Sequence, residues 1–326
     1  MLDENWIPKC FTLGVYEMEE RHTAANLASR MEKLFMNWNI NEKVMAVVTD
    51  NATNIVNAIH LLQQITEKSG LTCAAHSLQL AVNKALVGDN IEKLLVKSGK
   101  IVSHFKHSNV AKYALQEKQE QLGLPTMSLL QSCKTRWNSS YLMLERLLQN
   151  RISVMNVLTD RRSTTTSVAE SLEISEREWS LIEALVTLLK PLQMATTVLC
   201  GDNSSPTSMV RPVLQKALQN HMQIRNEDDI MIQNAKKIIA NEITQRVDLT
   251  RTSNITARQI ASMLDPRFKD LDHEPFEARF EIRAHVKHML EAVAPSESTS
   301  SKVTTRNSAL EFLYQQEINS NDIDTQ

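Results

Sequence analysis

Asp50 is the residue of this sequence best placed to do chemistry. It closes the apolar run Val44-Met45-Ala46-Val47-Val48-Thr49, and the carboxyl end of a buried strand is where α/β sheets gather ligands and catalytic groups. Such a carboxylate can take Mg²⁺, which prefers oxygen ligands and commonly accepts only one or two from the protein. It can equally cap the helix or shape the turn that follows. Two further pairs have metal-ligand character: Cys73 with His76, one helical turn apart, and His104 with His107. Together they would supply the four ligands of a tetrahedral zinc site. The stretch between them is long and helical in pattern, however, and Cys73 also reads as a small core residue. A third constellation is Thr135-Arg136-Trp137-Asn138, which opens a helical run. Arg clamps phosphate through paired hydrogen bonds, and Trp stacks on a base removed from the duplex. The alternative is an amphipathic helix start with the Trp buried and the Arg exposed.

Charge favours the Arg136 segment only locally. The chain carries 36 Lys and Arg against 38 Asp and Glu, a formal net charge of −2, so the molecule as a whole makes no electrostatic case for nucleic acid. From Lys100 to Arg151, however, eight basic residues, Lys134 and Arg136 among them, stand against three Glu. That excess suits either a solvated helix face or a polyanion.

The elements that must position these residues follow from periodicity. Trp6 to Tyr16 is rich in β-prone residues and predicts one or two strands. Leu27, Met31, Leu34, Phe35 and Trp38 share one helical face, with Thr23 as its cap. Val44–Thr49 predicts a central strand buried on both faces. Ile55, Ile59 and Leu62 mark the next helix, and Cys73 to Leu86 another. From Asn90 to about Thr250 the pattern is helical, with breaks at Gly123-Leu124-Pro125, Arg162–Ser167 and Gly201–Pro206. Trp179, Ile182, Leu185 and Leu189 share a face behind a cap at Ser175. Ala261–Phe268 is an apolar segment ended by Pro266, and a last amphipathic helix covers Pro275–Val293. Ser296–Ser301 reads as a flexible linker, and Ser308–Gln326 as a polar, acidic tail.

Composition agrees with an α/β start attached to an all-α region: 42% hydrophobic residues, 5% aromatic, 6 Gly and 8 Pro. No apolar run approaches a bilayer span, and Met1 to Phe11 lacks the apolar core of a signal peptide. The four scattered cysteines read as reduced thiols. The expectation is a soluble intracellular protein that uses no membrane.

Five strings now line up. His22-Thr23, Val47-Val48-Thr49-Asp50-Asn51-Ala52-x-Asn54, Cys73-Ala74-Ala75-His76-Ser77-Leu78-x-Leu80, Thr135-Arg136-Trp137-Asn138-Ser139 and Leu264-Asp265-Pro266-Arg267-Phe268-Lys269 occur in this order. In this the chain resembles hAT transposases, most of all the domesticated zinc finger BED domain-containing proteins. The resemblance implies a ribonuclease H-like domain interrupted by a large helical insertion. On that basis residues 1–88 form a partial ribonuclease H-like domain and 89–271 the insertion. Residues 272–326 form a helix, linker and acidic tail leading toward a dimerisation region. In the family three acidic groups hold two metal ions for strand cleavage and transfer. Asp50 matches the second of these, His76 the histidine near the scissile phosphate, and Arg136-Trp137 the pair contacting the DNA end, with Lys134 beside them.

The same resemblance marks departures. The family's first Asp would fall before Met1, and Asp3 and Glu4 are not in its place. Ser175-Glu176-Arg177 copies the string around the catalytic Glu but sits inside the helical insertion, as a helix start. The paired Trp expected ahead of the Glu, the BED finger with its zinc, and the dimerisation region are not found. One carboxylate of three cannot hold two ions at working geometry. The expectation is therefore a domesticated, non-catalytic nuclear protein that binds DNA and regulates transcription. No cofactor is expected in this chain, although the family uses Mg²⁺, and a homo-oligomer is expected only of the longer protein. The competing readings are an active transposase or nuclease completed in a longer isoform, and a protein-interaction scaffold using the helical region alone. The partial sheet should also be marginal in isolation, because an unpaired edge and apolar surface are left open.

Overall fold

A computed structural model describes residues 10–40, 43–62, 70–133, 135–201, 207–250 and 255–293. The chain divides into a compact unit through Val286 and a second unit, Lys287–Gln326, whose described part is the last turns of one helix. The expected linker and tail lie outside the described residues.

The chain begins with a small layer. Helix α1 (Ala24–Asn37) starts where Thr23 Oγ1 accepts the backbone N–H of Asn26 at 3.3 Å, as the spacing predicts. Strand β1 (Val47–Thr49), helix α2 (Thr53–Leu61) and strand β2 (Gly70–Thr72) follow. The two strands pair in parallel, Val47 to Gly70 and Thr49 to Thr72, which requires a crossover such as α2 between them. Ala28, Phe35, Ala58 and Leu62 form its own small core, with Leu27, Met31, Leu34 and Val47 packed against it.

Three expectations for this layer are corrected. Among the described residues Cys10 to Tyr16 form no strand, and Phe11 and Val15 are exposed; β-prone residues become a strand only where a partner strand accepts their hydrogen bonds. Strand β1 is not central among the described residues: it pairs only with β2, and Val48 is 56% exposed. Trp38 caps the end of α1 and is half exposed instead of sharing the buried face.

The rest is helical. Helices α3 (Ala74–Leu86), α4 (Asp89–His107), α5 (Asn109–Gln121), α6 (Trp137–Gln149), α7 (Arg151–Thr159), α8 (Thr166–Leu172), α9 (Glu176–Leu199), α10 (Thr207–His221) and α11 (Ile230–Arg246) precede α12 (Ala257–Leu264) and α13 (Phe276–Val293). One large core joins α3 to α11, so Leu78, Ala81 and Val82, which follow directly on β2, already pack with the helical body. At its centre lies α9. Its N-cap Ser175 accepts from Glu178 N while the Glu178 carboxylate takes the Ser175 N–H, a reciprocal cap that satisfies two otherwise orphaned donors. Trp179, Ile182, Leu185 and Leu189 are buried together, as their spacing requires. Helix α9 is, against expectation, long and apolar enough by length and composition to cross a membrane. Its apolar face is instead taken by α6, α10, α3 and α11.

A third core cluster, Leu271, Ala278, Ile282 and Val286, secures α13. Behind it lies a buried polar knot. Arg211 of α10 meets Glu274 through Nε and through Nη2 at 2.6 Å, and donates to the carbonyls of Asp248 at 2.8 Å and Leu249 at 3.1 Å. Gln259 of α12 adds a hydrogen bond to the same carboxylate at 3.3 Å. Buried charges persist only when paired and fully hydrogen-bonded, and this knot ties α10, α12 and the turn before α13 into one piece.

Candidate nucleic-acid interface

The paired residues Thr49 and Thr72 end the two strands at one edge, so Asp50 and Cys73 step off the sheet side by side. Cys73 N donates to Thr49 O at 2.6 Å, Asn51 Nδ2 to Ser77 Oγ at 3.4 Å, and Ser77 Oγ lies 3.4 Å from Thr72 Oγ1. These bonds bring the turn after β1 against the first turn of α3, which carries His76. Asp50 is exposed, and its Oδ1 accepts the backbone N–H of Ala52 at 3.1 Å. That is the turn-forming role weighed against catalysis.

Arg136 joins the same neighbourhood through a residue the sequence reading overlooked. Gln79 lies three residues after His76, hence on the same face of α3, and its Nε2 donates to Thr135 O. The turn it holds is braced internally: Ser139 Oγ accepts from Cys133 N at 2.7 Å and lies 2.6 Å from Arg136 O. Arg136 N bonds Cys133 O at 3.1 Å. Arg136 therefore stands exposed at the N-cap of α6, where the positive end of the helix dipole adds to its charge. The neighbouring Cys133 thiol is held below its ordinary pKa by hydrogen bonding to Thr135 and by the Arg136 charge.

Trp137 has the opposite fate. It is 1% exposed and belongs to the main core beside Tyr141 and Leu144, so no ring face is open to stack on a base. Its place in the string is to anchor the helix that displays Arg136. Lys134 lies outside the described residues.

The four-ligand zinc arrangement does not form. Cys73 and His76 begin α3, His104 and His107 lie in the last turn of α4, and among the described residues no three His, Cys, Asp or Glu are grouped to hold a metal ion. His104 is partly buried against Phe105, and burial lowers its pKa. At Asp50 the carboxylate already accepts a turn N–H, and among the described residues it belongs to no group of three or more possible metal ligands.

A cation does lie beneath this edge. Arg258 of α12 donates from Nη2 to Thr72 O, and Thr72 Oγ1 donates to Arg246 O at 3.3 Å. Burial, then the nearby Arg211 charge, bring the Arg258 guanidinium down to about 10. No sequence signal marks Arg258, because its partner is a backbone carbonyl 186 positions away.

Comparison with known proteins identifies the relatives of this chain. Residues 1–77 match the family model described as the ZBED1 RNase-like domain, and residues 71–188 the ZBED1 RNase-like helical domain. The chain is similar to zinc finger BED domain-containing protein 4 of Homo sapiens, 25% identical over 262 residues, 79% of this chain and 21% of that protein. It is 24% identical over 255 residues to zinc finger BED domain-containing protein 6 of Homo sapiens, 76% of this chain and 24% of that protein. To the transposable element Hobo transposase of Drosophila melanogaster it is 33% identical over 148 residues, 45% of this chain and 20% of that protein. The chain thus spans between 20% and 24% of these relatives' lengths.

Proposed function

This chain belongs to the hAT-type, BED-protein-like family of transposase-derived proteins, and from that premise we propose that it binds DNA without cutting it. The reading extends to a role in transcription regulation in the nucleus, and to a ribonuclease H-like sheet interrupted by a helical insertion. The observation that carries it is the exposed Arg136, held at the start of α6 by Gln79 on the His76 face of α3. An exposed guanidinium at a helix N-terminus suits a phosphate oxygen. The parallel β1–β2 pair joined through α2, followed at once by helices, supports the fold. The carboxylate of Asp50, engaged in its own turn, supports a non-cutting role.

The test is DNA binding as a function of salt. Each phosphate contact contributes about −0.9 to the slope of log affinity against log salt, so Arg136→Ala should flatten the slope by about that amount and weaken binding across sequences. Salt-independent binding, or an unchanged slope in Arg136→Ala, would overturn the reading. The similarity to the Hobo transposase favours a second reading, a strand-cutting enzyme. DNA nicking or joining with Mg²⁺ or Mn²⁺, abolished in Asp50→Ala, would establish that one.

A further inference from the structure

The outer face of α4 and the first turn of α9 enclose a groove that the Arg136 turn does not share. Two hollows of about 320 Å³ and about 560 Å³ meet at Lys93 and Lys97. Lys93, Lys97 and Lys100 are spaced four and three apart along one face of α4, and Arg177 projects from α9 on the other side. Two of the acids nearby are already paired. Glu176 receives Arg151 Nη2 at 2.6 and 2.5 Å, and Glu178 receives Lys97 Nζ at 2.9 Å while closing the cap of α9. Lys97 thus ties the two walls together. Lys93, Lys100 and Arg177 are exposed and have no ion pair or side-chain hydrogen bond among the described residues; Glu92 lines the groove with them, and Glu170 and Glu173 lie in sequence around its lining residue Ser171.

We propose that this groove is a second DNA-contacting surface, which grips the sugar–phosphate backbone of duplex DNA through Lys93, Lys100 and Arg177. The inference rests on the DNA-binding reading above and adds a site to it. Seven residues of helix carry Lys93 about 10 Å from Lys100 along the axis, a reach of about three base-pair steps along a duplex that rises about 3.4 Å per step. The groove is concave, and Val96 is its one exposed apolar side chain. Membrane surfaces instead call for an apolar face that can insert, or for a larger basic cluster. On another flank of α4, Gly99 lies against Gln131 of the loop leading to Arg136. The helix therefore stands between the two basic sites.

The experiment measures fluorescence anisotropy of a labelled random-sequence duplex with the full chain over a range of salt. Lys93→Ala with Lys100→Ala should weaken binding about tenfold and flatten the salt slope by about two. Arg177→Ala should add to that loss, the Arg136→Ala effect should be independent, and the thermal midpoint should not move. If Arg136→Ala weakens binding but the groove variants bind with wild-type affinity and slope, the groove proposal fails and the DNA-binding reading survives. If the wild-type chain shows no salt-dependent DNA binding, both fail. Groove variants that lose phosphatidylserine vesicles or poly-glutamate while keeping DNA would also overturn the proposal, in favour of a membrane or an acidic protein.

Discussion

The layer around β1 and the helical body bury apolar surface on very different scales. In the first, four residues make the core, and Met45, Val48 and Trp38 lie open to solvent. In the second, one continuous cluster runs from Leu78 to Leu249 with Leu185, Leu189 and Leu192 wholly enclosed. The contrast shows where function can reside. Asp50, His76 and Arg136 lie at the seam between the two, each exposed or partly exposed, on a rim whose shape the helical body enforces through Gln79, Arg246 and Arg258. A weakly stabilised layer held to a rigid one suits a binding edge, because local opening costs least where few contacts are lost.

The largest test of that contrast is Glu274→Ala. It strips the buried Arg211 of its counter-charge, and breaking one partner of a buried pair costs about 3–5 kcal/mol. Denaturant unfolding should show the whole body shifting, the β1 layer included, since Arg258 and Gln259 of the same knot lead to Thr72. A loss below about 1 kcal/mol would mean that the knot is not what fixes the rim.

Next come matched truncations in the two cores. Leu185→Ala, in the fully enclosed face of α9, should cost about 2–5 kcal/mol. Phe35→Ala should leave the main unfolding transition nearly in place and instead raise hydrogen exchange and protease cutting in α1 and α2, because its cluster is separate from the main core. If Phe35→Ala shifts the global midpoint as far as Leu185→Ala, the two regions are one cooperative unit and the contrast collapses.

How much of this was legible depended on whether partners were near in sequence. Thr23 and Ser175 declared themselves as caps because the groups they satisfy are three residues away. The face Trp179, Ile182, Leu185 and Leu189 showed in its spacing, and the break at Gly123 in its positive φ of 65°. The helix breaks at Ser108 and Asn150 did not show, since neither involves Gly or Pro. Asn150 is held in its turn by Gln119, thirty-one positions away, at 2.7 Å. The five strings behind the resemblance prove to be joints. Asn54 Nδ2 donates to His22 O at 2.9 Å, Asn51 reaches Ser77, Ser139 braces the Arg136 turn, and Asp265 binds Arg267 and Ser208. Their order could be read from the sequence, but not which of them touch. For the same reason Trp137 could not be told from a stacking residue: burial is a property of the packed whole, not of the tetrapeptide.

The Asp265 joint gives a pH signature confined to the helical side. The Arg267 guanidinium, followed by the Ser208 hydroxyl, holds its carboxyl well below the usual carboxylate range. A depressed folded pKa contributes stability that is complete above the unfolded value of about 4 and is lost as pH falls below it. Acid unfolding of the body below about pH 4 should therefore be blunted in Asp265→Asn, whose stability at neutral pH is already lower. Equal steepness in both proteins would remove Asp265 from the acid transition.

The smallest expected effect concerns the residue with the most chemical promise. As a turn former, Asp50 needs only an oxygen to accept the Ala52 N–H, and the side-chain oxygen of Asn offers the same geometry. Asp50→Asn should then change stability by less than about 0.5 kcal/mol. If this edge faces phosphate as proposed, removing a negative charge from it should tighten DNA binding slightly. A carboxylate that held a metal ion for DNA would behave differently: Asp50→Asn would lose Mg²⁺-dependent affinity, measurable by repeating the anisotropy titration with and without EDTA. Equal binding under both conditions, with stability preserved, places Asp50 with the joints. A loss confined to Mg²⁺ would make the seam a catalytic edge in waiting, and would move the weakly packed layer from support to chemistry.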